Sequence, residues 1–459
     1  MVMKRTAFVF CILLCWYFNI VGCNKIAFLN ETPSNEHAPV SSLSELQALL
    51  DKEILLCTTP VLGELSADNY YLKESFWSSL GKKERMAYIW APAIYEDNAN
   101  DDDWNIPYEQ VYYCNVVLHS LNKMGDDDPV TKNAIKGGAL FIRAYAFYNL
   151  AQVFALPYDK DRASEEMGIP LRLAADINEE TKRYTIKETY DQVVKDLLLA
   201  KILLPGKRDP QLLNRPSKIA TDAMLARVYL SMGDYENAYL YADSCLQKYS
   251  TLLDYNTIDV NAVFPFSRLN DEVLYQTRLH SGTDVFKGFA GGAIVDSALY
   301  KSYAQNDLRK LSYYMLFYDG LPYTKGTYYS SLLLFTGLAT DEVYLTRGEC
   351  RARFNDIEGA MKDLNSLLQS RWVKGTFTGL TVPDAAHALQ LILEERKKEL
   401  AFRGTRWTDI RRLNKEGYRI KLTRIINGIP YSLEPGDKRY ALPIPPYVIA
   451  KSGIPQNPR

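Results

Sequence analysis

Histidine is scarce in this chain, with four in 459 residues, and His37, His119, His280 and His387 stand far apart. No HExxH pair, Gly-x-Ser-x-Gly elbow or glycine-rich phosphate loop occurs, so the common zinc-hydrolase, serine-hydrolase and nucleotide-binding chemistries have no motif here. A glycosidase needs only two well-placed carboxylates, and among 55 acidic residues that class is not excluded by motif. There is no CxxC and no Cys/His cluster. Cys57, Cys114, Cys245 and Cys350 are widely and irregularly spaced, and a chain this long does not need a disulfide scaffold, so they read as small buried apolar residues. Lysine- and arginine-rich tracts are missing and the net charge is −1, which argues against nucleic acid as a partner. Long alternating strand-like runs are also absent, which leaves helices dominant.

What is present begins at the N-terminus. Met1 to Arg5 carry two positive charges, and Thr6 to Val21 form an apolar run of 16 residues. A spanning helix needs about 20, so residues 1–22 read as a signal peptide rather than an anchor. The run ends Ile20-Val21-Gly22-Cys23, which resembles a bacterial lipobox, and the resemblance implies lipidation at Cys23. Several acyl chains hold to a membrane far better than one. Cleavage before Cys23 leaves 437 residues with 52 basic and 55 acidic side chains, a net charge near −3. Residues 24–41 are polar, contain Pro33 and Pro39 and lack an apolar period. Residues 23–41 therefore read as a lipidated flexible tether, reaching at most roughly 60 Å.

Residues 42–459 read as a single all-α domain. Helix pairs are expected near 107–154, 188–249 and 340–371. Leu225, Ala226, Tyr229, Gly233, Tyr235, Ala238, Ala242 and Cys245 have the spacing of a tetratricopeptide-type pair, and Gly348, Arg351, Asn355, Asp356, Ala360, Leu364 and Leu367 repeat it 122 residues later. The intervals between the pairs are too irregular for a plain solenoid. Long loop-rich insertions fill them, and function is expected there.

The stretch Glu395-Arg396-Lys397-Lys398-Glu399-Leu400-Ala401-Phe402-Arg403-Gly404-Thr405-Arg406-Trp407-Thr408-Asp409-Ile410-Arg411-Arg412 resembles the SusD/RagB signature E-R-x-x-E-L-x-x-E-G-x-R-x-x-D-L-x-R. Arg403 stands where that family usually has Glu. Trp104, Tyr108, Val111 and Asn115 fit its W-x-x-x-Y-x-x-I-x-x-x-N helix start. Arg143-Ala144-Tyr145-Ala146-Phe147-Tyr148 fits R-A-x-x-x-Y, and Leu442-Pro443-Ile444-Pro445 and Gln456-Asn457-Pro458 fit the family's closing L-P-I-P and Q-N-P. The matched charges are expected to form a structural ion-pair network, not a catalytic site.

The resemblance implies a lipid-anchored outer-membrane protein, exposed at the cell surface. It would bind an oligosaccharide without cleaving it and deliver it to a SusC-like TonB-dependent transporter. A peptide-binding lid and a transporter-docking scaffold with no ligand site of its own are the alternatives. No cofactor is implied. Tyrosine outnumbers phenylalanine 33 to 17, and tyrosine offers a flat apolar face with a hydroxyl attached. The stretch Asn69 to Asn105, placed before a helix, combines aromatic rings with amides and acids, and Trp90, Tyr95, Asn98 and Asn100 are its candidate ligand contacts. Asp101-Asp102-Asp103 invites a calcium reading, but helix capping explains the acids more simply and no metal is expected. A second segment rich in aromatics and glycines, His280 to Thr336, either completes the same cleft or docks on the transporter.

Overall fold

The computed structural model describes residues 42–97, 99, 101–176 and 178–459, with the side chain of Phe289 excepted. The expected signal peptide, Cys23 and the tether lie outside the described residues, as do Asn98 and Asn100. Helices dominate, and Leu43–Arg459 forms one unit. Among the described residues no helix is long and apolar enough to cross a membrane.

Nine longer helices form the scaffold: α1 (Asp102–Leu121), α2 (Pro129–Phe154), α3 (Ile186–Leu203), α4 (Lys218–Met232), α5 (Tyr235–Lys248), α6 (Thr340–Arg353), α7 (Ile357–Gln369), α8 (Ala385–Glu399) and α9 (Arg406–Lys415). Each of the first seven packs against its successor, and α8 returns onto α6. Local chemistry sets their ends. Thr185 and Glu188 form a reciprocal capping box at the start of α3, satisfying two otherwise unpaired backbone donors. Helix α1 starts five residues before Pro107, the start expected from sequence. The Asp101 side chain accepts from Asp103 N and caps an extra turn, so the proline lies inside the helix at the cost of one backbone bond.

The α4–α5 and α6–α7 turns are alike in geometry as well as in sequence. Gly233 has φ 73° and Asn355 φ 63°, both left-handed, and the next residue in each, Asp234 or Asp356, caps the following helix. Glycine and asparagine are the residues that tolerate this conformation most readily.

The family-matched residues in the N-terminal half stitch helices together. Arg143 on α2, 7 % exposed, donates to both carboxylate oxygens of Asp196 on α3 at 2.8 Å and to Asn115 Oδ1 on α1 at 2.8 Å. Cys57, Cys114, Cys245 and Cys350 are buried free thiols, and burial pushes Cys57 and Cys114 up to about 12.

The all-α expectation needs one addition. The insertions also form strands, each of only two to five residues. Segments this short cannot display the alternation by which strands are recognised in sequence. Four of them make one sheet: β1 (Tyr70–Tyr71), β2 (Ile294–Val295), β3 (Tyr314–Leu316) and β4 (Pro322–Thr324), in the order β1-β2-β4-β3. A separate hairpin pairs β5 (Leu422–Ile426) with β6 (Ile429–Leu433).

Candidate functional site

The four-stranded sheet joins the two segments singled out from sequence. Tyr70 pairs with Val295 and Tyr71 with Ile294, antiparallel, and Ile294 pairs in turn with Tyr323. Tyr70 points inward, 1 % exposed, with its hydroxyl donating to Leu65 O and its ring against Phe286. Tyr71 is half-buried, as the pleat's alternation requires. Beyond it, Lys73 reaches Asp319 at 2.8 Å, and Tyr323 donates to the same carboxylate at 3.0 Å. Phe76 lies over Gly292, where a Cβ would stand 2.0 Å from the ring; glycine is needed for that approach. Trp77 is half-buried, its Nε1 donating to Arg85 O and the Arg85 guanidinium 5.7 Å from its ring.

The β3–β4 hairpin carries the most exposed ring of the face. In its tip Phe317 N donates to Leu321 O at 3.0 Å and Gly320, at φ 73°, donates to Phe317 O at 2.8 Å. The turn leaves Tyr318 97 % exposed, its ring 4.7 Å from that of Phe317. Tyr323, Phe317 and Tyr318 thus bring ring surface to the Lys73–Asp319 pair, and Tyr71, Phe76 and Trp77 flank Lys73 in sequence, a set able to stack on and hydrogen-bond a polar ring compound.

Two of the candidates chosen from sequence are not on this face. Trp90 is fully buried at φ 55°, donates from Nε1 to Ser66 O at 3.0 Å, and packs with Trp407, Ile410, Leu422, Leu433 and Tyr440. Tyr95 is 6 % exposed, and its hydroxyl donates to Asp101 at 2.7 Å. Both are core residues, contrary to the expectation that they contact a ligand. Their setting carried the signal: Trp90 lies in the apolar run Ile89 to Ile94, whereas Phe76-Trp77 is bracketed by Ser75 and Ser78 and Tyr318 sits in a Tyr-Asp-Gly turn.

The acidic triplet is also accounted for. Lys83 Nζ lies 2.8 Å from Asp101 and 3.2 Å from Asp103, both buried, and Asp103 accepts from the backbone of Val61 and Leu62. An ammonium and backbone donors occupy the positions a cation would need. Asp102 instead faces His280 of the second segment at 3.4 Å.

The signature residues form a buried ionic network behind the sheet. Arg309 bonds Asp307, Glu395 and Glu399; Arg371 bonds Glu399 and Glu272; Arg396 and Arg412 share Asp409. Arg403 pairs with Asp341 at 2.9 Å, its guanidinium 4.7 Å from the Tyr328 ring and 4.6 Å from Phe335. Burial pushes the Asp341 carboxyl up, and Arg403 with Arg371 outweighs it, holding it below its usual value. Oxygens of Glu272, Asp341 and Glu399 lie within 4.8 Å of one another, a spacing that would suit a metal ion. Arg371 and Arg403 neutralise that cluster from within.

Glu64 contributes, alongside Glu272, to the pH dependence of this region. It is buried, accepting from Asn69 Nδ2 at 2.7 Å and Gly404 N at 3.2 Å, and burial raises its carboxyl to about 7 despite those bonds. The folded state therefore holds this proton after the unfolded state has released it. Stability contributed by Glu64 is complete below pH 4.5 and is lost as pH rises to about 7. Urea midpoints measured across that window are expected to fall with pH, and Glu64→Gln is expected to flatten the slope. An unchanged slope in the variant would assign the effect elsewhere.

The comparisons with known proteins agree with this architecture. A family model described as starch-binding and associating with the outer membrane matches residues 27–230, and the SusD family model matches residues 340–458. The SusD-like protein P2 of Formosa agariphila is 24 % identical, with 99 % of this chain and all of that protein covered. A SusD superfamily crystal structure from Bacteroides thetaiotaomicron superposes with a TM-score of 0.74 at 22 % identity, covering 91 % of this chain and 100 % of that one. Surface glycan-binding protein A of Bacteroides uniformis gives 0.70 at 16 % identity, covering 91 % and 99 %. At these identities the structures speak for the fold alone. With the signature from Glu395 to Arg412 in place and family matches in both halves of the sequence, the chain belongs to the SusD/RagB family.

Proposed function

We propose that this protein captures an oligosaccharide at the cell surface without cleaving it and passes it to a SusC-like TonB-dependent transporter. In this reading it is held at the outer membrane by lipid on Cys23, residues 1–22 are its signal peptide and residues 23–41 its tether. The observation that carries the reading is the aromatic face where the two insertions join in one sheet, with Tyr318 97 % exposed at its edge. Sugars present C–H faces to rings and hydroxyls to polar groups, and both kinds of partner stand there. The family description and the glycan-binding structural relative support the same class of ligand. Against catalysis, the carboxylates that the signature contributes, Glu395, Glu399 and Asp409, are each held by arginine and are not free to act as an acid–base pair.

The test is a glycan and peptide array probed with the chain from Asn24 to Arg459, followed by calorimetry on the hits. Glycan affinity is expected in the micromolar to millimolar range, roughly 4 to 8 kcal/mol. Tyr318→Ala and Trp77→Ala are expected to weaken it about tenfold or more, a loss on the order of 1.4 kcal/mol. Peptide hits alone would replace the sugar with a peptide. No hit at millimolar concentration, with co-purification of the transporter, would leave a docking scaffold. Release of reducing sugar, abolished by one carboxylate substitution, would overturn the binding-only reading.

A further inference from the structure

A second cleft, sharing no residue with the sheet face, opens beside the N-terminal half of α1. Its cavity volume is about 390 Å3. Trp104, Tyr108 and Tyr112 line one wall at successive four-residue steps, so the helix presents them as one stripe. Tyr447 and Lys451, one turn apart on the short helix Pro446–Ser452, and Arg172 also line it, the Tyr447 hydroxyl donating to Asn105 of α1. Trp104 and Tyr108 are two of the residues that fit the family's helix start, and the structure places both in the lining of this cleft.

The cleft is held in shape from behind. Asn115 Nδ2 donates to the carbonyls of Arg172 and Ala174, both at 3.0 Å, while its Oδ1 accepts from Arg143. The Arg172 guanidinium donates to Thr181 Oγ1 at 2.8 Å and to Asp176 O at 2.7 Å. Tyr108 OH donates to Pro170 O at 2.9 Å. Tyr108, Tyr112 and Tyr447 are all half-buried, each with part of its side chain open to solvent. Lys451 is exposed, makes no ion pair among the described residues, and stands 6.0 Å from the Tyr447 ring. A site shaped before the ligand arrives loses less entropy on binding.

We infer that this cleft is a second saccharide subsite, holding one or two sugar rings between Tyr112 and Tyr447 with Lys451 and Thr181 toward the hydroxyls. Its volume falls near the lower end of small-ligand pockets, roughly 300–1,000 Å3, which suits a short saccharide and not a folded partner. The inference rests on the reading of this chain as a saccharide binder. Two separate subsites on one chain engage a long polymer more tightly than either does alone, through effective concentration.

The test titrates the full-length protein with a panel of disaccharides, α- and β-linked glucobioses, mannobiose, galactobiose and xylobiose, followed by ligand-observed NMR. Wild type is compared with Tyr112→Ala, Lys451→Ala and Tyr318→Ala, each first checked for a wild-type melting transition. Lys451 is exposed, so its variant remains informative if Tyr112→Ala does not fold. The expected result is at least one disaccharide whose affinity falls tenfold or more in the cleft variants and less than twofold in Tyr318→Ala. Disaccharide binding lost only in Tyr318→Ala would overturn the cleft and leave the proposed function standing, as would binding of polymers without any disaccharide. Absence of binding to any saccharide of any length would overturn both.

Discussion

Arg371→Ala is expected to destabilise the protein by about 3–5 kcal/mol, the range for removing one partner from a buried ion pair. Arg371 is wholly buried. It donates to Glu399 at 2.7 Å, to both oxygens of Glu272 at 2.8 and 3.0 Å and to Leu253 O at 2.8 Å, and its guanidinium lies 4.3 Å from the Tyr255 ring. Without it, Glu272 loses its guanidinium partner close to Glu399 and Asp341, which keep only Arg309 and Arg403. Even with the arginine present, burial outweighs its attraction and raises Glu272 to about 7. The Leu253 carbonyl would also lose its donor. The double variant Arg371→Met, Glu399→Gln is expected to recover part of the loss, because an apolar replacement of similar volume with the opposing charge removed leaves less uncompensated charge. Urea denaturation gives the comparison. A single variant with the wild-type midpoint would show that the network contributes nothing to stability.

The second large effect is expected from Arg403→Glu, which installs the residue the family signature usually carries. In this chain it places a carboxylate beside Asp341 and removes a cation from two aromatic rings. Like charges this close in a buried site disfavour each other's ionised forms, and the effect is expected to match or exceed the Arg371 loss. The partner substitution Asp341→Arg is expected to restore part of the stability by exchanging the charges, read as a coupling energy above about 1 kcal/mol in a double-mutant cycle. Additive losses without rescue would mean that Arg403 acts through packing on Tyr328 and Phe335 and not through Asp341. Asp341 thus balances the departure from the signature: at position 403 the chain differs from its family, and 62 residues earlier it carries the acid that pairs with the difference.

Much of the scaffold was legible before any coordinates. Helical periodicity and the Gly233 and Asn355 turns are local, each settled by residues within one or two helical turns. The signature was legible as a linear pattern, and so was the pairing of its charges in an ionic network. The short strands were not, because two or three residues carry no period and are recruited by distant partners such as Tyr71 and Ile294. Trp90 and Tyr95 were placed at the ligand face because an aromatic ring near amides looks the same in sequence whether it lies in a core or over a surface. Trp77 and Tyr318 had the better local setting, with polar neighbours and a turn.

By itself the sequence determined the helical class, the approximate place of the helix pairs, the family, and the expectation of export with lipid on Cys23, since each depends on contiguous residues read in order. Tertiary structure decided which charges neutralise which, which rings are buried, and that segments more than two hundred residues apart in sequence share one sheet and one exposed face. Those outcomes depend on contacts between distant parts of the chain, where burial and pairing are settled by how helices pack and not by the identity of neighbouring residues.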